Sequence, residues 1–125
     1  MIAIDTSSWV AYLSGEDGGD IATVDRALAD QQACLPPVVL TELLSDPRLP
    51  KRVRSLLLTL PALEVTDGYW QRAGLLRAKA ISKRGRAPLA DTLIAQTCID
   101  HGVALLTRDA AFQSLAHVSG LKLVG

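Results

Sequence analysis

Aromatic side chains are scarce in this sequence of 125 residues, at 4% of the total. Proteins that hold single-stranded nucleic acid on a stacking platform use aromatic rings to contact the bases. That mode of binding is therefore poorly supported here. Recognition of a nucleic acid would have to depend on its shape and its backbone.

Cysteine is rare as well, and Cys34 and Cys98 are the only two. Both lie in apolar surroundings, and neither they nor the two histidines, His101 and His117, are spaced like zinc ligands. We therefore expect both thiols to be small buried hydrophobic groups in a reducing compartment.

Long apolar runs and an excess of one charge are also missing. Lys and Arg total 13, as do Asp and Glu, so the formal net charge is zero and a generally basic surface is excluded. No apolar run approaches the length of a bilayer span, and no basic segment precedes the first apolar residues. The sequence predicts a soluble, cytoplasmic protein with no membrane partner.

Hydrophobic residues make up 49% of the chain, which is enough for one core, and no segment has the composition of a linker. We expect a single domain over residues 1–125. Strands are predicted at residues 1–4, 33–35, 63–65, 103–107 and 121–124. Helices are predicted at residues 6–14, 20–28 with Asp20 as N-cap, 37–45, 53–60, 67–84 with Asp67 as N-cap, 89–101 before Gly102, and 109–115. This alternation predicts an α/β fold, a three-layer α/β/α sandwich with a mainly parallel sheet.

Acidic residues follow two of the predicted strands. Asp5 directly follows the first apolar run, and Asp109 follows Thr107 at the end of the run 103–106. Ligands of an open parallel sheet bind outside the carboxyl ends of its strands, so the two carboxylates are expected at one shared site. Each could also be an ordinary helix cap, for which Asp is a favoured residue.

Two further acids lie within apolar helical segments. Glu42 is surrounded by Val and Leu residues, and Asp91 shares a helical face with apolar residues. Burying a lone carboxylate is unfavourable in free energy. That cost is removed if the four acids meet around Mg²⁺ or Mn²⁺, because these ions prefer oxygen ligands. Considered alone, Glu42 could be an ordinary residue on a helix surface, and Asp91 could be a helix cap. Ser7 and Thr107 could orient the acids by hydrogen bonds.

Four segments in order resemble the PIN-domain ribonucleases, especially the VapC-type toxins of toxin–antitoxin pairs. The segments are MIAIDTSSW at residues 1–9, LTEL at 40–43, LADTLIA at 89–95 and LLTRDAAF at 105–112. The resemblance covers essentially the whole chain. It implies that Asp5, Glu42, Asp91 and Asp109 are a catalytic acidic quartet that cleaves RNA with Mg²⁺ or Mn²⁺.

In that interpretation Asp5 and Asp91 hold the principal metal ion, and Glu42 and Asp109 complete its surroundings or hold a second ion. Many relatives have one more acid just before the Phe of the last segment, where this chain has Ala111. The metal-binding set is therefore expected to be minimal. The resemblance further implies a homodimer and inhibition by a VapB-like antitoxin.

Basic residues adjoin the proposed site in two clusters without intervening acids. One cluster includes Lys83, Arg84 and Arg86 and leads toward Asp91, and the other spans residues 48–54 after Glu42. The first cluster in particular is a candidate for contacting RNA phosphates, although surface solvation would explain either one. The alternative function is a non-catalytic member of the same fold that binds RNA or protein.

Overall fold

The computed structural model describes all residues 1–125, which form three strands and seven helices. The strands are β1 (Ile2–Ile4), β2 (Ala33–Cys34) and β3 (Ala104–Leu106). The helices are α1 (Thr6–Leu13), α2 (Gly19–Ala29), α3 (Pro37–Leu44), α4 (Lys51–Thr59), α5 (Tyr69–Ser82), α6 (Leu89–His101) and α7 (Ala111–His117). No helix combines the length and the apolar character needed to cross a bilayer.

The sheet is parallel, with β1 in the centre between β2 and β3. Ile2 pairs with Ala33 on one side and with Ala104 on the other. Because all three strands run in the same direction, Asp5 and the residues after Leu106 leave the sheet at one edge. The backbone amide of Asp5 donates to the carbonyl of Leu106 across 2.8 Å, which holds those two ends together.

Helices cover both faces of this sheet. Successive strand residues point to opposite faces, and both Ala3 and Ile4 have no exposed surface. Helix α6 packs against α3, α5 and α7, while α1 packs against α2 and α3. The predicted α/β sandwich with a parallel sheet is confirmed.

Helix α6 shows how local signals place a functional residue. Pro88 precedes its first turn and Gly102 ends it with φ +64°, a conformation that glycine adopts without strain. Between them, Ile94, Ala95 and Cys98 have no exposed surface. The predicted bounds of this helix are therefore confirmed.

Two predicted strands are not continuous strands. Residues 63–65 form no strand, because only Ala62 bridges to Leu35 before the chain turns away, although Leu63 is still buried in the core. Residues 121–124 contribute a single bridge, Leu105 to Leu123. The apolar pattern in both segments reflects packing against the core rather than an extended ladder.

Two predicted N-caps are wrong as well. Asp20 was predicted to cap α2 and Asp67 to cap α5. The N-cap residues are instead Gly18 and Gly68, whose φ values of +146° and +79° favour glycine over a residue with a side chain. The carboxylate of Asp20 instead binds Arg108, 88 residues further along the chain. That distant partner outcompetes the local capping bond.

Both cysteines are fully buried and unpaired, as the sequence predicted for Cys34 and Cys98. Burial raises the pKa of Cys34 above its ordinary value and raises the pKa of Cys98 to about 12. Both groups therefore remain thiols and behave as small apolar side chains at neutral pH.

Candidate acidic site

Asp5 occupies the end of the central strand and is only 4% exposed. Its Oδ2 accepts two hydrogen bonds, from Ser7 Oγ and from Thr107 Oγ1, each 2.8 Å long. The two hydroxyl oxygens lie 3.2 Å apart. Both donors use the same carboxylate oxygen, which leaves Oδ1 of Asp5 free to accept another ligand.

Backbone amides hold the two hydroxyl groups in turn. The amide of Arg108 donates to Ser7 Oγ at 3.0 Å, and the amide of Asp109 donates to Thr107 Oγ1 at 2.9 Å. Each hydroxyl oxygen thus accepts from the backbone while its only proton is directed at Asp5. The Asp5 carboxylate has a defined orientation before any ligand arrives.

Asp91 lies in the first turn of α6, whose N-terminus it does not cap, since no side chain caps this helix. Burial raises the pKa of Asp91 to about 7, and repulsion from Asp109, Asp5 and Glu42 adds to the increase. The end of β1, helix α3 and the loop after β3 therefore bring Asp5, Glu42 and Asp109 within electrostatic reach of Asp91 on α6.

Glu42 and Asp109 form the exposed side of this cluster. Thr6 Oγ1 donates to Glu42 Oε1 at 2.7 Å, which connects α1 to α3 beside the site. The backbone amide of Ala111 donates to Asp109 Oδ1 at 2.9 Å, so Asp109 also orders the start of α7. Ala111 itself is buried.

The chemistry of this donor set suits a divalent cation. All four groups are carboxylates, and no basic side chain forms an ion pair with any of them. No three His, Cys, Asp or Glu side chains are already placed closely enough to hold one ion. The acids converge without forming a complete coordination shell, and their mutual repulsion is the kind that a bound Mg²⁺ or Mn²⁺ relieves.

The predicted basic residues lie in the loop that joins α5 to α6. Lys83, Arg84 and Arg86 are exposed and form no ion pair. Arg84 has a left-handed backbone conformation, with φ +60°. Of the residues in the other predicted cluster, Arg48 pairs with Asp46 at 3.8 Å.

A neighbouring ion pair was not visible in the sequence. Arg108 lies between Thr107 and Asp109, and its guanidinium binds Asp20 through two contacts of 2.6 and 3.0 Å. This pairing lowers the pKa of Asp20 and raises that of Arg108. It ties the start of α2 to the loop that carries Asp109. The position of Arg108 between two site residues was the only available signal.

Residues 2–118 match the family model described as "PIN domain". The chain belongs to the PIN-domain family. Among curated PIN-domain relatives, VapC ribonuclease Mb1587 of Mycobacterium bovis is 34% identical to it over 98% of this chain and 96% of the relative. Ribonuclease VapC11 of Mycobacterium tuberculosis has the same identity and coverage. The predicted resemblance to VapC-type PIN-domain proteins is confirmed.

Solved PIN-fold structures have the same architecture at lower identity. The DNA-bound VapBC structure from Salmonella typhimurium has a TM-score of 0.75 and 17% identity, covering 99% of this chain and 98% of that one. FitAcB from Neisseria gonorrhoeae has a TM-score of 0.73 and 20% identity, covering 100% of this chain and 97% of that one. At such identities the likeness establishes the fold of the whole chain.

Proposed function

We propose that this PIN-domain protein is a divalent-metal-dependent ribonuclease and the toxin of a toxin–antitoxin pair. The observation that carries the proposal is the convergence of four carboxylates at the carboxyl edge of the sheet. They are Asp5, Glu42, Asp91 and Asp109. The curated relatives named VapC ribonuclease Mb1587 and Ribonuclease VapC11 support the same activity. A non-catalytic role is not favoured.

Asp5 and Asp91 are the proposed holders of the principal Mg²⁺ or Mn²⁺ ion, with Glu42 and Asp109 beside them. A divalent cation at this position supplies positive charge that neutralises the scissile phosphate and activates water. Asp5 is suited to this role because Oδ2 is saturated by two hydroxyl donors and Oδ1 remains free. Asp91 is suited because a nearby positive charge favours its ionised form.

Neighbouring hydroxyl side chains position the carboxylates by hydrogen bonds. Ser7 and Thr107 are positioning residues, since they fix the rotation of the Asp5 carboxylate. Thr6 restrains Glu42 in the same way from α1. Burial and the neighbouring carboxylates raise the pKa of Asp91, and a divalent cation held here would favour its ionised form.

RNA reaches this site, in our proposal, over the exposed cations of the loop between α5 and α6. Lys83, Arg84 and Arg86 lie just before Asp91 in the chain and have no acidic partner. They are free to contact backbone phosphates of the bound RNA. Because the proposed substrate is RNA, we place the activity in the cytoplasm.

A VapB-like antitoxin is the proposed partner, because the solved structures of similar fold include VapBC and FitAB toxin–antitoxin complexes. A homodimer is proposed as well. Trp9 and Leu57 are core residues and are not available for this interface. On α5, Trp70 and Leu75 are 64% and 72% exposed, which makes them candidates for an interface.

Cleavage of cellular RNA by purified, antitoxin-free protein tests the function. We expect fragments with Mg²⁺ or Mn²⁺, none with EDTA, and none from the Asp5→Asn or Asp91→Asn variants. Asp30→Asn is the matched control, because Asp30 precedes β2 and therefore lies at the opposite edge of the parallel sheet. Equal cleavage by the parent and the Asp5→Asn variant would contradict the proposed site. RNA binding without any cleavage would favour the non-catalytic module.

A further inference from the structure

A continuous series of cavities runs along α7 from the acidic site to the far end of the helix. The first cavity is lined by Asp109 and Gln113. Gln113 also lines a second cavity of about 280 Å³, together with Lys83 and His117. Those two residues line a third cavity of about 610 Å³, which Lys79 also lines. The shared residues join the three cavities into one surface, which we call the α5–α7 groove.

Asp109, at the end nearest the acidic site, is the only acid that lines the groove. Residues 68–90 supply α5 and the loop after it, residues 110–125 supply α7 and the chain beyond, and neither segment contains an Asp or Glu. Together they hold seven of the 13 Lys and Arg residues, namely Arg72, Arg77, Lys79, Lys83, Arg84, Arg86 and Lys122. These two segments therefore carry an excess of positive charge that the neutral total conceals, although Arg72 is paired with Asp100 of α6.

The cations of the groove are available for a ligand. Lys79, Lys83 and His117 are exposed, and none of them takes part in an ion pair. The two lysine charges, without partners on one concave surface, attract an anion, and the His117 ring beside them can hydrogen-bond it. No Phe, Tyr or Trp side chain lines the three cavities, so His117 is the only ring in the groove on which a base could stack.

Close packing gives the floor of the groove a defined shape. A Cβ atom added to Gly85 would lie 2.9 Å from Ser114 Cβ and 3.2 Å from the carbonyl oxygen of Ala80, so α7 approaches the loop more closely than any side chain would allow. The amide of Arg86 donates to Ser114 Oγ at 3.3 Å. The cationic side chains therefore project from two elements that are held against each other.

We propose that the α5–α7 groove binds backbone phosphates of the RNA a few nucleotides from the scissile bond, through Lys79, Lys83 and His117. The inference rests on the proposed ribonuclease function and adds a second contact region to it. From Asp109 to His117 the helix rise gives a separation of about 12 Å, which is beyond a single phosphate. Lysine recognises phosphate as a point charge, so the groove adds affinity without sequence preference.

Binding and cleavage are measured separately to test this groove. Affinity is measured in the inert Asp5→Asn background, for single-stranded RNAs of about four and about twelve nucleotides, with and without Lys79→Gln and Lys83→Gln together. The matched control is Arg26→Gln with Arg54→Gln, which removes the same charge from exposed positions on α2 and α4. Cleavage is then measured with Asp5 intact.

We expect the groove variant to bind the longer RNA about tenfold more weakly, with a salt dependence reduced by about 1.4 in log–log slope for two lost phosphate contacts. The short RNA and the control variant should be unaffected, and kcat should be retained while KM rises. Equal affinity and equal salt slope in the groove variant and the control would overturn the proposal. An acidic protein segment would then be the candidate ligand of the groove. Loss of cleavage in every protein would instead count against the proposed function, because the binding result does not require catalysis.

Discussion

Thr107 donates a hydrogen bond of 2.8 Å to Asp5 and so connects the ends of two adjacent strands at the acidic site. The pairing of β1 with β3 brings these residues together across 102 positions of sequence. The amide of Asp109 donates to the same hydroxyl oxygen, which helps to hold the Thr107 side chain in place beside Asp5. The hydroxyl is therefore a positioning group for the carboxylate.

Replacing Thr107 with Val removes this donor while keeping the shape of the side chain. We expect cleavage to fall about 10- to 100-fold, with a weaker affinity for Mn²⁺, because the Asp5 carboxylate becomes free to rotate. The measurement is metal-dependent RNA cleavage together with Mn²⁺ titration. Thr107→Ser retains the hydroxyl and should keep most of the activity. Equal activity of the Val and Ser variants would show that the hydrogen bond has no such role.

The raised pKa of Asp91 makes the metal-free protein less stable as pH increases. Its folded pKa is about 7, whereas the same carboxyl in an unfolded chain titrates near about 4. The folded state therefore retains a proton that the unfolded state has lost, so this stabilising contribution is complete below the unfolded value and disappears above the folded one.

Asp91→Asn should accordingly raise the Tm of the metal-free protein by about 3–5 °C at about pH 8. This shift corresponds to a gain of about 1 kcal/mol in the free energy of unfolding, after allowance for solvent screening. The difference should vanish at about pH 4, where the aspartate is protonated in both states. Thermal unfolding in EDTA at both pH values measures this change. A lower Tm for the Asn variant at the higher pH would contradict the predicted sign.

The connection between α1 and α2 depends on Gly18. A Cβ atom there would lie 2.6 Å from Asp20 Oδ1 and 2.9 Å from an Arg108 guanidinium nitrogen, in a backbone conformation with φ +146°. Gly18→Ala should therefore lower the free energy of unfolding by about 2 kcal/mol and the Tm by about 6–8 °C. Gly19→Ala is the control, because nothing lies within 4 Å of its Cβ position. Equal Tm values for both variants would contradict the argument.

The two thiols should be unreactive in the folded protein. Cys34 and Cys98 have no exposed surface, and burial raises the pKa of both. Iodoacetamide at about pH 8 is expected to label neither residue in native protein and both in denaturant, because the thiolate is the reactive form. Mass spectrometry of the intact chain gives the number of labels. Rapid labelling of the native protein would indicate that the region opens.

The exposed apolar residues of α5 make the homodimer testable. Leu75→Glu should weaken self-association by at least about tenfold, since a twofold interface would bury the new charge on both subunits. Light scattering over a range of concentrations measures the change. Leu58→Glu on α4 is the matched control, with 61% exposure against 72% for Leu75. An unchanged dimer in the Leu75 variant would place the interface elsewhere. A monomeric parent protein would contradict the proposed homodimer.

The sequence by itself was sufficient for the features that depend on neighbouring residues. The apolar run before Asp5 predicted β1, and Gly102 after a helical pattern predicted the end of α6. Alternating strands and helices then predicted a parallel sheet, whose geometry places Asp5 and Asp109 at one edge. These features follow from periodicity and capping, which act within a few residues.

Only the tertiary structure decided the features that depend on distant partners. Asp20 has the local signature of a cap, but Arg108 binds it across the chain and Gly18 takes its place. Leu63 has the pattern of a strand residue, yet it packs into the core without a ladder. The basic face along α5 and α7 likewise arises because two acid-free segments, separated in sequence, pack side by side. Such contacts join residues far apart in the chain, so no local pattern encodes them.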